Sequence, residues 1–310
     1  ILDTTEQFLL TSVIISHDMA STFRLADRIA VLHEGTIIEV GSPADIRRSN
    51  DDRVRSLIRG ATKNDIAADT ANAIDVSDLD CAVEMTDVRK SFSGQTVLDD
   101  VSMRVPVGKI TALIGGSGEG KSVMMKHILR LMEPDSGRVE VFGQDLSELN
   151  ESEMRELRTR IGMLFQHAAL FDSMTVGENV AFPLIERKIC SRAEAEKRVD
   201  DILERLSISD IKHDYPATIS SGQEKRVSLA RALITEPPLI IYDEPTTGQD
   251  PMMTRQVEGM IREVQQNFDV TSLVISHDMA LTFRLADHVA LLAEGRIVAE
   301  GNTVALLDCD

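Results

Sequence analysis

The sequence holds 310 residues, room for about two domains of ordinary size, and its 43% hydrophobic content excludes a fibrous or wholly disordered chain. Its 51 Asp and Glu against 33 Lys and Arg leave a formal charge of -18, which argues against nucleic acid as the main partner, because neutralising phosphates takes clustered cations. No apolar run reaches the ~18 residues of a membrane span, no secretory leader is visible, and Cys81, Cys190 and Cys309 are scattered and odd in number, as free thiols in a reducing compartment are.

The chain begins at Ile1 inside an amphipathic segment, which reads as a piece of a longer sequence. Compared with itself at an offset of 260, the stretch Thr11 to Gly41 matches Thr271 to Gly301 at 20 of 31 positions. A repeat that long is a duplicated domain and not a solenoid unit. Residues 1–60 then form the end of a first domain: a strand from Ser12 to Ser16, a helix from Ala20, a hairpin from Arg28 to Val40, and a helix from Pro43 with Ser42 as its N-cap. Residues 61–80, with five Asp and one Lys and no apolar period, read as an acidic linker. Residues 81–310 are the second, nearly complete domain.

That domain opens with strands at 81–92, 96–105 and 109–114, separated by the turns Ser-Gly-Gln and Pro-Val-Gly. A helix is expected over Val123 to Met132, a turn at Pro134 to Gly137, a helix over Glu151 to Arg160 and a strand from Ile161 to Gln166. Residues 192–206 and 220–233 read as helices, 239–242 as a buried strand, 252–265 as a helix and 271–275 as another strand. Apolar strands alternating with helices give an α/β class with a mostly parallel central sheet. The more polar insertion from 140 to 235 is expected to fold as a mainly helical lobe.

Gly115, Gly116, Ser117, Gly118, Glu119, Gly120, Lys121 and Ser122 fit the pattern G-x-x-x-x-G-K-[ST] between a buried strand and a helix. Such glycines let backbone N–H groups curl around phosphate oxygens at the positive end of a helix. Lys121 would reach the outer phosphates and Ser122 would ligate Mg²⁺. The strand ending in Asp243-Glu244 would carry one carboxylate to the Mg²⁺ hydration sphere and the other to the attacking water as general base. Gln166 and His277 each follow an apolar strand, where an amide could touch Mg²⁺ or water and a ring could meet the γ-phosphate; taken singly, either reads as a surface or cap residue. Ser220, Ser221, Gly222 and Gln223 precede a helix whose start offers N–H groups to an anion. Lys225 and Arg226 near that start oppose the helix dipole, a cost that an external anion would offset.

In this order the phosphate loop, Gln166, the 220–223 turn, Asp243-Glu244, Asp250 and His277 resemble the nucleotide-binding domain of ABC transporters. The likeness covers 81–301, and 1–60 resembles the last part of a second such domain, with His17 in the position of the switch histidine. The resemblance implies a P-loop NTPase core with an antiparallel β subdomain and a helical signature lobe. It implies an ATPase that uses ATP and Mg²⁺, with Phe92 stacked on adenine. Two domains would face each other head to tail, so that Ser220 and Gly222 cover the nucleotide of the partner domain, with Ser221, Gln223 and Asp250 also among the nucleotide-binding residues. It also implies a peripheral place on the cytoplasmic face of the inner membrane, against a multi-span permease.

The run GMLFQHAALFDSMTVGENVAFPL and the stretch NDDRVRSLIRG are most similar to the ATPase subunit of MCE-type phospholipid transport systems, which implies an MCE-domain lipid-binding partner. Amino-acid and methionine importers share much of this pattern and are the nearest rivals, and a low-activity regulatory half is a further alternative. One departure stands out: where the family signature has Leu-Ser-Gly-Gly, this chain has Ile-Ser-Ser-Gly, and Ser221 is expected to narrow the backbone there and slow the site that it completes.

Overall fold

The structure is a computed structural model that describes residues 22–23, 26–33, 35–51, 53–55, 79–166, 168–247 and 251–303. The strand expected at Ser12 to Ser16, His17, the start of the helix at Ala20, most of the linker, Asp250 and residues 304–310 lie outside them. Two compact units form, residues 1–69 with 248–255 and residues 70–247 with 256–310.

In the first unit, β1 (Ile29–His33) and β2 (Thr36–Gly41) make an antiparallel hairpin whose turn uses Gly35 at φ +75°. Helix α1 (Pro43–Arg47) follows. Ser42 caps it: its hydroxyl accepts from Asp45 N–H while the Asp45 carboxylate accepts from Ser42 N–H at 3.0 Å. Such a reciprocal cap is worth about 1 kcal/mol. Ile29, Val31, Ile46 and Val54 bury together as a small apolar cluster.

The second unit is built on two sheets. The antiparallel sheet has the order β4-β3-β6-β7, from β3 (Cys81–Phe92), β4 (Gln95–Pro106), β6 (Ser136–Val141) and β7 (Gln144–Asp145). The six-stranded sheet has the order β12-β11-β5-β10-β9-β8, from β5 (Ile110–Gly115), β8 (Ile161–Leu164), β9 (Leu239–Asp243), β10 (Thr271–Ser276), β11 (His288–Ala293) and β12 (Arg296–Gly301). All its pairings are parallel except the β11–β12 hairpin. Strands β5 and β10 are buried along their whole length, as continuous apolar runs inside a parallel sheet must be. The helices are α2 (Lys121–Ile128), α3 (Glu151–Thr159), α4 (Val176–Glu186), α5 (Arg192–Arg205), α6 (Ser221–Leu233), α7 (Pro251–Phe268) and α8 (Met279–Leu285).

The two hairpins repeat one another. Ile29 pairs with Gly41 and Ala30 with Val40, while Val289 pairs with Gly301 and Ala290 with Glu300; both ladders shift register at the same point, Val31/Leu32 and Leu291/Leu292. Every pair differs by the 260-residue offset of the sequence repeat.

Three expectations need correction. The helix after the phosphate loop stops at Ile128 and not at Met132. Arg130 adopts φ +46°, and the N–H groups of Arg130 and Leu131 turn back to the carbonyls of His127 and Lys126, closing the helix against its apolar continuation. The insertion from 140 to 235 is not one helical lobe, because β8 belongs to the central sheet, where Leu164 lies beside Tyr242. Strand β8 ends at Leu164, so Gln166 lies in the bend two residues beyond it.

Candidate functional site

Strand β5 delivers the chain into the glycine-rich loop, and α2 begins at Lys121 directly after it. Gly118 and Gly120 hold φ of +87° and +110°, values that a side chain opposes. A Cβ on Gly120 would sit 2.7 Å from Leu98 Cδ2, and one on Gly115 would sit 2.6 Å from the Leu292 carbonyl oxygen. Gly120 is also the N-cap of α2 and supplies no side-chain bond to it. The first N–H groups of a helix have no partner within it. Here they face the loop at the positive end of the helix dipole, an arrangement that suits phosphate oxygens. Gly116, Ser117 and Ser122 are exposed around this helix start. Glu119 turns aside, and its carboxylate accepts the N–H of Glu294 at 2.5 Å.

Lys121 is buried, and its ammonium folds back into the loop. It donates to the Gly115 and Gly116 carbonyls at 2.7 and 2.9 Å and stands 3.4 Å from Glu244 Oε1. The other carboxylate oxygen of Glu244 lies 2.7 Å from His277 Nδ1 and accepts the Thr247 hydroxyl at 2.9 Å. These residues converge because β9 and β10 are parallel neighbours of one sheet, with Asp243 beside Ile275. Their C-terminal ends therefore present Glu244 and His277 on the edge where β5 presents the loop. Binding at the carboxyl ends of such strands is the rule for open α/β sheets. Gln166, two residues beyond the Leu164–Tyr242 pair, extends the same edge.

The Asp243 carboxyl is half-buried, and burial pushes its pKa up; the neighbouring Glu244 charge adds to this and Lys121 opposes it. Two adjacent carboxylates, Asp243 and Glu244, with the Ser122 hydroxyl from the start of α2 and the Gln166 amide from beyond the end of β8, make a hard-oxygen donor set. Among the described residues no group of three or more His, Cys, Asp or Glu could hold a metal alone. The donor set itself suits Mg²⁺ carried on phosphates, which needs only one or two protein carboxylates.

Phe92 closes β3, 40% exposed as a residue, with the Lys90 ammonium 5.8 Å from its ring centroid. At the far end of the helical segment, Ser220 caps α6: its hydroxyl and N–H both engage the Gln223 side chain, at 2.9 Å each. Gly222 is half-buried and Ser221 exposed beside it.

The backbone at Ser221, the first helical residue of α6, has no positive φ, a conformation open to serine. One sequence expectation fails here. Lys225 and Arg226 do not crowd the helix start. The buried Lys225 ammonium donates to the Pro245 carbonyl, and Arg226 donates to the Leu206 carbonyl at 3.0 Å and faces Glu263 at 3.4 Å. Arg226 thus has a carboxylate partner inside the protein, whereas the Lys225 ammonium has a carbonyl and burial pushes its pKa down.

Sequence reasoning missed the contact that Thr247 makes with Glu244. Thr247 had a readable signal: Glu244-Pro245-Thr246-Thr247 has proline at the second position of a β-turn, and Thr247 N–H closes it on the Glu244 carbonyl at 3.2 Å.

A glycine cradle at a helix start, a buried ammonium inside it and carboxylates at the neighbouring strand ends define the class of P-loop nucleoside-triphosphate-binding domains. The family model described as ABC transporter matches residues 98–247. The methionine import ATP-binding protein MetN of Rhizobium johnstonii is 41% identical over 221 residues, 71% of this chain and 60% of its own length. MetN 1 of Rhodopseudomonas palustris is 43% identical over 215 residues, 69% of this chain and 57% of its own length. Among solved structures, cbiO1 from Clostridium perfringens, part of the ABC transporter complex cbiONQ, superposes with a TM-score of 0.69 at 30% identity over 74% of this chain and 91% of that one. The chain belongs to the ABC transporter ATP-binding family. It spans about three fifths of the length of the two curated relatives, 60% and 57%.

Proposed function

We propose that residues 81–303 bind and hydrolyse ATP and that the chain thereby powers a membrane transporter. The observation that carries this reading is the convergence of three distant motifs: the Lys121 ammonium 3.4 Å from one oxygen of Glu244, and His277 Nδ1 2.7 Å from the other. In this reading the loop N–H groups and Lys121 hold the outer phosphates, and Phe92 stacks on the base. Ser122, Gln166 and Asp243 would hold Mg²⁺, which when bound neutralises phosphate charge. Glu244 takes a proton from the attacking water, and His277 steadies its carboxylate. Ser220, Ser221, Gly222, Gln223 and Asp250 act on the nucleotide of a partner domain. The partners are a second nucleotide-binding domain and a multi-span permease, with this chain peripheral on the cytoplasmic side of the inner membrane.

The names of the relatives support methionine as cargo. A phospholipid cargo with an MCE-domain partner is the second reading, favoured by the 162–184 run and the 50–60 stretch. The matched registers of the two hairpins support residues 1–60 as the end of a first, tandem ATP-binding domain. Affinity capture of the native protein from gently solubilised membranes, with mass spectrometry of its companions, tests these readings. A permease with a solute-binding protein supports the amino-acid cargo, and a permease with an MCE-domain protein supports the lipid. A preparation with no permease refutes the transport role.

A further inference from the structure

The Glu244 carboxylate is held unevenly. Its Oε2 edge accepts the Thr247 hydroxyl at 2.9 Å and lies 2.7 Å from His277 Nδ1, whereas Oε1 faces Lys121 across 3.4 Å. The backbone beneath it is strained: Glu244 sits at φ +48°, a left-handed conformation that costs a non-glycine residue about 1–2 kcal/mol. Strain of this kind persists only where the surroundings over-determine it. Here Glu244 N–H donates to the Ile275 carbonyl at 2.9 Å, and the Glu244 carbonyl accepts from Thr247 N–H at 3.2 Å. Thr247 therefore grips the residue twice, once by backbone and once by side chain. A β-branched side chain suits this role, because few χ1 rotamers are open to it.

We propose that Thr247 is a positioning residue for hydrolysis, whose hydroxyl fixes the Oε2 edge of Glu244 so that Oε1 stays turned toward Lys121 and the phosphate loop. The proposal rests on the hydrolysis reading above. It predicts a defect in turnover and not in nucleotide binding, because Thr247 bonds the carboxylate and not the loop. The hydroxyl, and not the bulk of the side chain, must be what matters.

The test is steady-state phosphate release with Mg²⁺ and ATP by the full chain and its variants, with thermal melting as the control for folding. Thr247→Val keeps the shape and removes the hydroxyl. Its kcat should fall about 10- to 100-fold, the scale of a misplaced catalytic group, with KM for ATP within about twofold of wild type. Thr247→Ser restores the hydroxyl and should stay within about threefold of wild-type kcat. Thr247→Ala is the second variant should valine disturb the turn, and it should show the same loss of kcat. Wild-type kcat in the folded valine or alanine variant overturns the proposal. So do equal losses in the valine and serine variants, or a raised KM at unchanged kcat. If the wild-type chain itself releases no Mg²⁺-dependent phosphate, the hydrolysis reading falls and the proposal falls with it.

Discussion

Replacing Lys121 with alanine removes the cation on which the phosphate loop is organised. Its ammonium stands 3.4 Å from Glu244 Oε1, a separation worth about 5 kcal/mol of gross attraction at an effective dielectric of about 20. It also donates two bonds to loop carbonyls, at 2.7 and 2.9 Å. When it turns to a phosphate, part of this bonding is exchanged and not added. A charged hydrogen bond contributes about 1.5–3 kcal/mol net. The exchange places the contribution of Lys121 to ATP binding at about 2–3 kcal/mol, a loss of about 30- to 150-fold in affinity at 1.4 kcal/mol per factor of ten. Glu244 keeps His277 and Thr247 as partners in the variant. The thermal midpoint should therefore move by no more than about 5 °C, the shift that about 1–2 kcal/mol produces in a domain of this size. Calorimetric titration with Mg²⁺-ATP measures the first quantity and a circular-dichroism melt the second. A folded variant that binds ATP within threefold of wild type would refute the reasoning.

Gly120→Ala should lose about 2–4 kcal/mol in urea unfolding, because the new methyl meets Leu98 Cδ2 at 2.7 Å on a backbone at φ +110°; a loss under about 0.5 kcal/mol would contradict the steric account. Ser221→Gly should leave phosphate release within about twofold and cost no more than about 1 kcal/mol, since Ser221 occupies an ordinary helix-start conformation. A severalfold gain in rate would instead support the expectation that this serine slows the site. His127 is buried at the end of α2, and burial holds its pKa below the usual histidine value, with Lys90 adding to the effect and the Met132 carbonyl and Asp135 opposing it. The unfolded chain therefore takes up this proton more readily than the folded one, so stability is lost as pH falls below about 6.5. The thermal midpoint of wild type should drop further between pH 7.5 and pH 5.5, in steps of about one unit, than that of His127→Gln, and equal drops would exclude the effect.

The site was legible in the sequence where spacing and strand context coincide. The glycine loop falls between the buried run Ile110–Ile114 and a helix, and Asp243-Glu244 and His277 each end an apolar strand. Local chemistry decided the α1 start in the same way, since Ser42 and Asp45 carry a capping box. Helix α4 was missed although Thr175 and Glu178 form the same kind of box, because Pro183 interrupts the pattern that a helix would show. The end of α2 was misplaced because Arg130 turns left-handed there, with the Leu129 and Arg130 carbonyls held by Arg158 of α3, a contact that propensity does not encode. The charges of Lys225 and Arg226 were misread for a similar reason: their partners, the Pro245 and Leu206 carbonyls, come from segments about 20 residues away. Thr247 is the instructive case. Its turn was visible in Glu-Pro-Thr-Thr, but its role depends on the rotamer of Glu244, which no sequence pattern reports.

The most direct test of the account is phosphate release from ATP by the wild-type chain and by Glu244→Gln, each with and without Mg²⁺. The account requires Mg²⁺-dependent release by wild type, and a glutamine variant that still binds ATP but turns over about 100- to 10,000-fold more slowly, the usual contribution of a general base. A glutamine variant as fast as wild type, or a wild-type chain that binds no ATP, would contradict it.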